Sequence, residues 1–296
     1  MNQTSLYKGA AFMVLAGMAF AAANGISSMV IYGLGFKPES DAFWQYAIAF
    51  LFSLPFVWKM GLAGLKTRHP VLHIVRVLLS SLGVIAFAKS FAYNMPIWHI
   101  VALVMTSPFF VLIGAATLLG EKVNSNRWIA ATIGFAGAMV LLRPWDGGLN
   151  EGALFPIAAA IFWGAASLIT KRLTREEPQS AITMWLLVLL APINGLFSIH
   201  AGFQIPTGEI LALLVIGGVL MFAAQHFLTL SYSAADAAVV QPFDDLKLFS
   251  NIAVSWFLGQ ELPTGAYWLG IALILAGSAY LLWSERRPKP DMPQMA

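Results

Sequence analysis

Two adjacent carboxylates and an ammonium, Asp244, Asp245 and Lys247, stand in the segment QPFDDLKLFSN at 241–251, inside an otherwise apolar stretch. An ionisable side chain at membrane depth costs on the order of 2.5–3.5 kcal/mol on insertion scales and by default marks a functional site. On a helix at 100° per residue, Gln241, Asp244, Asp245, Leu248 and Asn251 share one face. Lys247 flanks that face, three residues from Asp244 and able to pair with it, and Pro242 removes one backbone donor. A kinked, polar, single-faced stretch suits a cavity lining. One carboxylate there could hold a cationic group or a coupling proton. The alternative is a helix that begins later, which leaves the three as solvated charge at the interface.

Other polar residues sit in apolar runs. Lys89, in VIAFAKSFAY, is read either as an ion-pair or anion-binding residue facing Asp244 or Asp245, or as a lysine snorkelling to the outer interface. Arg76, near the start of the same run, is expected to snorkel. Gln225, His226, Thr229 and Tyr232 form a polar stripe, with Gln225 or His226 expected to line the cavity; hydrogen bonding between helices is the alternative. His99 and His200 read as interface residues. Asn24 and Trp163 occupy the middle of two separate runs, and Trp44, Gln45 and Trp185 are further candidates. A tryptophan away from the interfacial belts is unusual, and Trp163 could wall a solute by stacking or cation–π contact, or simply pack. The histidines lack metal-ligand spacing, so no metal site is expected.

These residues need helices to hold them in a bilayer. Of 296 residues, 59% are hydrophobic and only 10% are charged, against roughly 25% charged in soluble domains. Mean hydropathy is +0.75. A soluble enzyme, a nucleic-acid binder and a disordered scaffold are all excluded by that balance, and the lipid bilayer is the expected surrounding. With no cysteine there is no disulfide framework, Cys-ligated zinc or thiol nucleophile. Ten stretches approach the roughly 20 residues a spanning helix needs: 8–31, 41–59, 72–93, 97–119, 127–142, 151–170, 181–201, 209–230, 235–259 and 264–284. The runs are continuous and rich in Ala, Leu and Gly, which favours helices over the alternating strands of a barrel. The first run is read as a retained span rather than a signal peptide.

Numbering the connectors by the helices they join puts twelve Lys and Arg on one side and only Lys37 and Arg143 on the other, with Arg76, Lys89 and Lys247 inside spans. The positive-inside rule then places both termini in the cytoplasm. It also explains the pI near 9.2 as a topology signal, with no nucleic-acid partner required.

A shift of 140 residues lays LLGEKVNSNRWIAATIGFAGAMVLL on FLGQELPTGAYWLGIALILAGSAYLL. Glu121 meets Glu261, Trp128 meets Trp268 and Gly137 meets Gly277, so the two glutamates are read as structural helix-end carboxylates. Each half holds five spans, an odd number, so the second must enter from the opposite face. The expectation is an all-α polytopic membrane protein of ten transmembrane helices in two inverted repeats, 1–145 and 146–285, with a cytoplasmic tail at 286–296.

The form SPFFVLIGAATLLGE at 107–121, GFAG at 134–137, the following RP and the ninth run QPFDDLKLFSNIAVSWFLGQELP resemble the EamA type of the drug/metabolite transporter superfamily. Asp245 stands where that family's form has an aromatic residue. The resemblance implies an inner-membrane, multi-pass carrier with a cavity between its halves, moving small organic solutes by alternating access. No GxxxxGK[ST] loop or GxSxG elbow is present, so neither ATP drive nor hydrolase chemistry is expected, and no cofactor is. The leading expectation is a secondary carrier of an amino acid or another amine-bearing metabolite, proton- or exchange-coupled. The alternative is uptake of a vitamin such as riboflavin or of an S-adenosylmethionine-like cation. An intramembrane enzyme, a scramblase or a channel is a more distant reading, and a monomer and a homodimer both remain open.

Overall fold

A computed structural model describes residues 3–61, 66–118, 124–143, 151–234 and 243–285. Its regular structure is helical: α1 (Gln3–Ser28, continued by a π turn at Met29–Gly33), α2 (Pro38–Met60), α3 (Pro70–Phe91), α4 (Ile97–Val104), α5 (Ser107–Leu118), α6 (Ser125–Leu142), α7 (Glu151–Leu173), α8 (Gln179–His200), α9 (Gly208–Ala234), α10 (Lys247–Phe257) and α11 (Ala266–Glu285). Among the described residues, six segments are long and apolar enough alone to cross a membrane, one being Ile97–Thr117, which runs through α4 and nearly all of α5. With α2, α6, α10 and α11 they follow the ten expected spans in order. Prolines open α2 and α3, where the missing N–H would be unpaired anyway. Asn124 caps α6 by accepting from the Arg127 amide at 3.0 Å.

Two expected spans are broken. The fourth turns at Met105–Thr106 between α4 and α5. Pro108 cannot donate to the Val104 carbonyl and its ring crowds it, while Thr106 Oγ1 donates to Leu103 O at 2.6 Å. The ninth turns at Asp245–Leu246, after a helical Phe243–Asp244 and before α10. Asp competes with helical hydrogen bonds in this way. The two breaks are 140 residues apart, the interval of the repeat.

The packing obeys the same pseudo-two-fold. α1 lies on α9 as α7 lies on α3, α1 meets α10 as α7 meets α4 and α5, and α2 meets α9 as α8 meets α3. The pairs α2·α8, α4·α10 and α6·α11 sit on the axis. At the last pair a Cβ added to Gly137 would come within 2.6 Å of Gly270 O, and one on Gly277 within 2.8 Å of Ala130 O. Ala130 and Gly270 are themselves repeat mates. Small residues here let two backbones approach, which is how helices associate when lipid removes the hydrophobic drive.

Arg76 is not a snorkelling residue. It is 5% exposed, and Nη2 donates to Ile182 O of α8 at 2.7 Å. One turn away, Glu177 of the α7–α8 connector closes the start of α3. It accepts from Thr67 Oγ1, from the Arg68 amide at 2.9 Å and from the His69 amide at 3.3 Å, and lies 2.6 Å from His73 Nε2. Burial alone would raise the Glu177 carboxyl, but the bonds from Thr67, His73 and Arg68 outweigh it and hold it down, to about 2 from an ordinary 4.5. A carboxyl lowered in the folded state stabilises above its unfolded value and loses that contribution as pH falls toward the folded one. The Tm in detergent should therefore drop between pH 4.5 and 2, and Glu177→Gln should lower Tm at neutral pH and flatten that drop. An unchanged pH profile in the variant would refute the assignment.

A central cavity and its charged wall

Where the two breaks face each other they open a cavity of about 650 Å³. Met105, Thr106 and Ser107 line it from the first break, and Asp244, Asp245 and Lys247 from the second. Phe109 of α5, Phe135 of α6, Trp163 of α7 and Ser278 of α11 complete the wall, with Arg127 and Lys171 also lining it. The volume lies within the roughly 300–1,000 Å³ of small-molecule sites, and the mix of aromatic surface with a few convergent polar groups is typical of them.

The local build explains the placement. Lys247 Nζ donates to Asp244 Oδ2 at 2.7 Å across one helical turn. α10 can bring Lys247 against α1 because residue 17 is glycine; a Cβ there would stand 3.1 Å from Lys247 Cβ. Lys247 O accepts from Asn251 Nδ2 at 2.7 Å, and Asn251 Oδ1 accepts from Asn24 Nδ2 at 2.9 Å. Asp245 lines the cavity without a hydrogen bond or ion pair among the described residues. Trp163 Nε1 donates to Ser80 O at 3.2 Å, and Ser107 Oγ donates to Ala160 O at 3.0 Å, which fixes α7 at the level of the first break. Phe109 and Phe135 stack at 4.8 Å.

A solid layer separates this cavity from a second crevice of about 460 Å³ at the other end of α10, lined by Ser28, Tyr32, Asn94, Gln260 and Glu261 among others. Trp98, Ile97, Ile100, Leu103 and Leu248 are fully buried in the layer. Gln260 ties it together: Nε2 donates to Ser28 Oγ of α1 at 2.8 Å, and Oε1 accepts from the Ile97 amide of α4 at 3.0 Å. Trp98 Nε1 donates to Glu261 O at 2.8 Å.

The sequence candidates divide accordingly. Asp244, Asp245, Lys247 and Trp163 all line the one cavity, the three charged residues half-buried. Asn24 sits in the closing layer, one contact removed through Asn251. Lys89 does not face the aspartates; its Nζ pairs with Glu39 Oε1 at 3.0 Å, at the opposite end of α3 from Arg76. Gln225 is exposed on α9, and His226 stacks on Phe222 at 5.9 Å; neither lines this cavity. Their stripe shares one helical face, but that face is not the one α9 turns to the axis. His99 packs against Trp98 at 5.1 Å and Tyr267 at 5.6 Å near the start of α4. Trp44 donates to Gln204 O at 3.0 Å, Gln45 donates to Ser27 Oγ at 2.6 Å, and Trp185 stacks on His73 at 5.2 Å. Gln241, Pro242 and Glu121 lie outside the described residues.

Sequence reasoning missed Phe109, Phe135, Gly83, Gln260 and a buried carboxyl, Asp41, which accepts from Ser27 Oγ at 2.8 Å. Asp41 is the first residue of the second expected span, 41–59, and drew no reading of its own. The phenylalanines and the glycine carry no local signal, since both types are common throughout the chain, and Gln260 falls in a connector past the end of the ninth expected span.

Two inverted five-helix halves that enclose a solute-sized, charged cavity define a carrier of small molecules. The chain belongs to the EamA-like transporter family, whose model matches it twice, over residues 8–143 and 150–283. That bears out the resemblance to the drug/metabolite transporter superfamily. The chain is 51% identical over 294 residues to a riboflavin transporter of Rhizobium johnstonii, covering 97% of each. It is 37% identical to a riboflavin transporter of Vibrio cholerae, covering 96% of each, and 28% identical to an S-adenosylmethionine uptake transporter of Rickettsia conorii, covering 92% of each. A solved crystal structure shares the fold at a TM-score of 0.60 and 19% identity, covering 97% of this chain and all of the other. These relatives are named for riboflavin and S-adenosylmethionine, so the leading expectation of an amino acid or simple amine finds no support, and the alternative of a vitamin or an S-adenosylmethionine-like solute fits better.

The Asp244–Lys247 pair makes the wall testable. Removing one partner of a sheltered pair leaves a charge uncompensated, whereas removing both does not. Lys247→Met should therefore lower Tm in detergent more than Asp244→Asn/Lys247→Met does; a double variant less stable than the single one would count against the pairing.

Proposed function

We propose that this protein is a riboflavin uptake carrier that works by alternating access through the central cavity. The observation that carries the reading is full-length identity of 51% to a protein named for that solute, joined to a cavity with aromatic walls and hydrogen-bonding carboxylates at its centre. An isoalloxazine ring system with a polyol tail asks for both kinds of surface. Membrane insertion follows the basic residues, with both termini in the cytoplasm of a bacterial inner membrane. On that orientation the Arg127 and Lys171 end of the cavity faces inward and the Gln260 layer closes the outside, an inward-open state. The chain acts as a carrier without catalysis, and the solute is chemically unchanged.

Asp244 and Asp245 also suit a cationic solute, and a relative at 28% identity is named for S-adenosylmethionine. Uptake of radiolabelled riboflavin by cells lacking other riboflavin uptake tests the two. Riboflavin should accumulate and be displaced by excess unlabelled riboflavin, with excess S-adenosylmethionine or amino acids displacing at least tenfold less. Accumulation of S-adenosylmethionine with none of riboflavin would reverse the assignment.

Alternating access requires the Gln260 layer to part. The absence of native cysteine makes this measurable with Ser278→Cys as a cavity reporter. A membrane-impermeant maleimide added outside should label it slowly, and Gln260→Ala should speed labelling several-fold. Equal rates in the two backgrounds would remove Gln260 from the gate.

A further inference from the structure

Trp163 is held from behind by a slot on α3. Its indole nitrogen donates to Ser80 O, and the ring lies across Gly83, where an added Cβ would collide with Nε1 and come within 3.0 Å of Cε2. Phe87, one turn further on, flanks the ring at 5.6 Å. On the other side α7 is tied to the first break: Ser107 donates to Ala160 O, and Gly164 faces Ser107 and Phe110. The donor group is thus used up inside the protein, while Trp163 lines the same cavity as Phe109 and Asp245. A tryptophan that spends its N–H on the scaffold offers a solute only its π-surface and edge.

We infer that Gly83 and Trp163 act as one unit that presents a fixed indole surface for stacking of a planar heteroaromatic solute, Trp163 setting specificity and Gly83 positioning it. The inference rests on the riboflavin reading and adds which part of the solute is read where: the ring system on Trp163, the hydroxyl-bearing chain toward Asp244 and Asp245. Every base or flavin has a π-face, so stacking alone selects planar rings without selecting their substituents. Trp163→Leu then loses ring discrimination, and any side chain at position 83 displaces the indole rather than removing it.

Titration of riboflavin with the purified full-length protein reads this out, because an indole stacked on isoalloxazine quenches flavin fluorescence. Wild type should quench. Trp163→Leu should bind at least tenfold more weakly and leave bound flavin fluorescent, and Trp163→Phe should bind with intermediate affinity. Gly83→Ala should weaken binding, and Gly83→Ala/Trp163→Leu should match Trp163→Leu alone, because once the indole is gone a side chain at position 83 has no stacking surface left to displace. Gel-filtration profile and Tm separate misfolding from lost affinity, and the double variant gives the answer even if Gly83→Ala folds poorly. Trp163→Leu that binds and quenches like wild type, or a double variant in which the two losses simply add, would overturn the inference while leaving the riboflavin reading intact. Wild type that shows no binding of riboflavin by calorimetry would remove the reading and the inference together.

Discussion

A backbone N–H or C=O in hydrocarbon has no water to turn to, so a chain can leave the helix at membrane depth only where protein or a wet cavity receives the freed groups. The rest of this molecule follows from that constraint. Its two mid-span breaks, at Met105–Thr106 and Asp245–Leu246, would be costly on the lipid face. Both are brought to the axis, where they face each other and the cavity opens between them. The small-residue contact of α6 with α11 at Gly137 and Gly277, and the stacking of α1 on α9 and α7 on α3, are what turn the broken segments inward.

The backbone is close to symmetric, but the chemistry is not. The first break carries Met105, Thr106 and Ser107, whose hydroxyls are spent on Leu103 O and Ala160 O. The second carries Asp245, Leu246 and Lys247, which bring charge. Trp163 corresponds by the repeat to Ala23, and Asn24 to Gly164. The second half therefore supplies the ion pair and Trp163, and the first half Ser107 and Phe109. An inverted repeat gives two equivalent backbones, and divergence of side chains makes a single polar site from them. The same asymmetry appears in the closing layer, where Gln260 bridges α1 and α4.

Helical faces account for most of what the sequence left undecided. In a soluble protein the apolar stripe of a helix points to the core. In lipid both surroundings are apolar, so periodicity says little about which face turns inward. Gln225 and His226 share a stripe that reads like a lining, yet α9 keeps Gln225 exposed and stacks His226 on Phe222. Lys89 reads as a partner for the aspartates and instead meets Glu39, a residue 50 positions away that only folding brings to the end of α3. Arg76 lies near a span's end, where snorkelling is usual, yet α8 covers it.

Composition and run length determined the membrane class and the ten spans, because each is a property of local sequence judged against the thickness of a bilayer, and the 140-residue self-match carried the repeat. The Asp244–Asp245–Lys247 cluster was legible for the same reason: a charge in an apolar run is costly wherever the run ends up. Only the tertiary structure decided that Trp163 lies over Gly83, that Gln260 joins α1 to α4, and that Glu177 closes the start of α3. Those contacts join residues from 80 to more than 200 positions apart. Which helix faces meet is set by the packing of all the spans together, a quantity that no single segment carries.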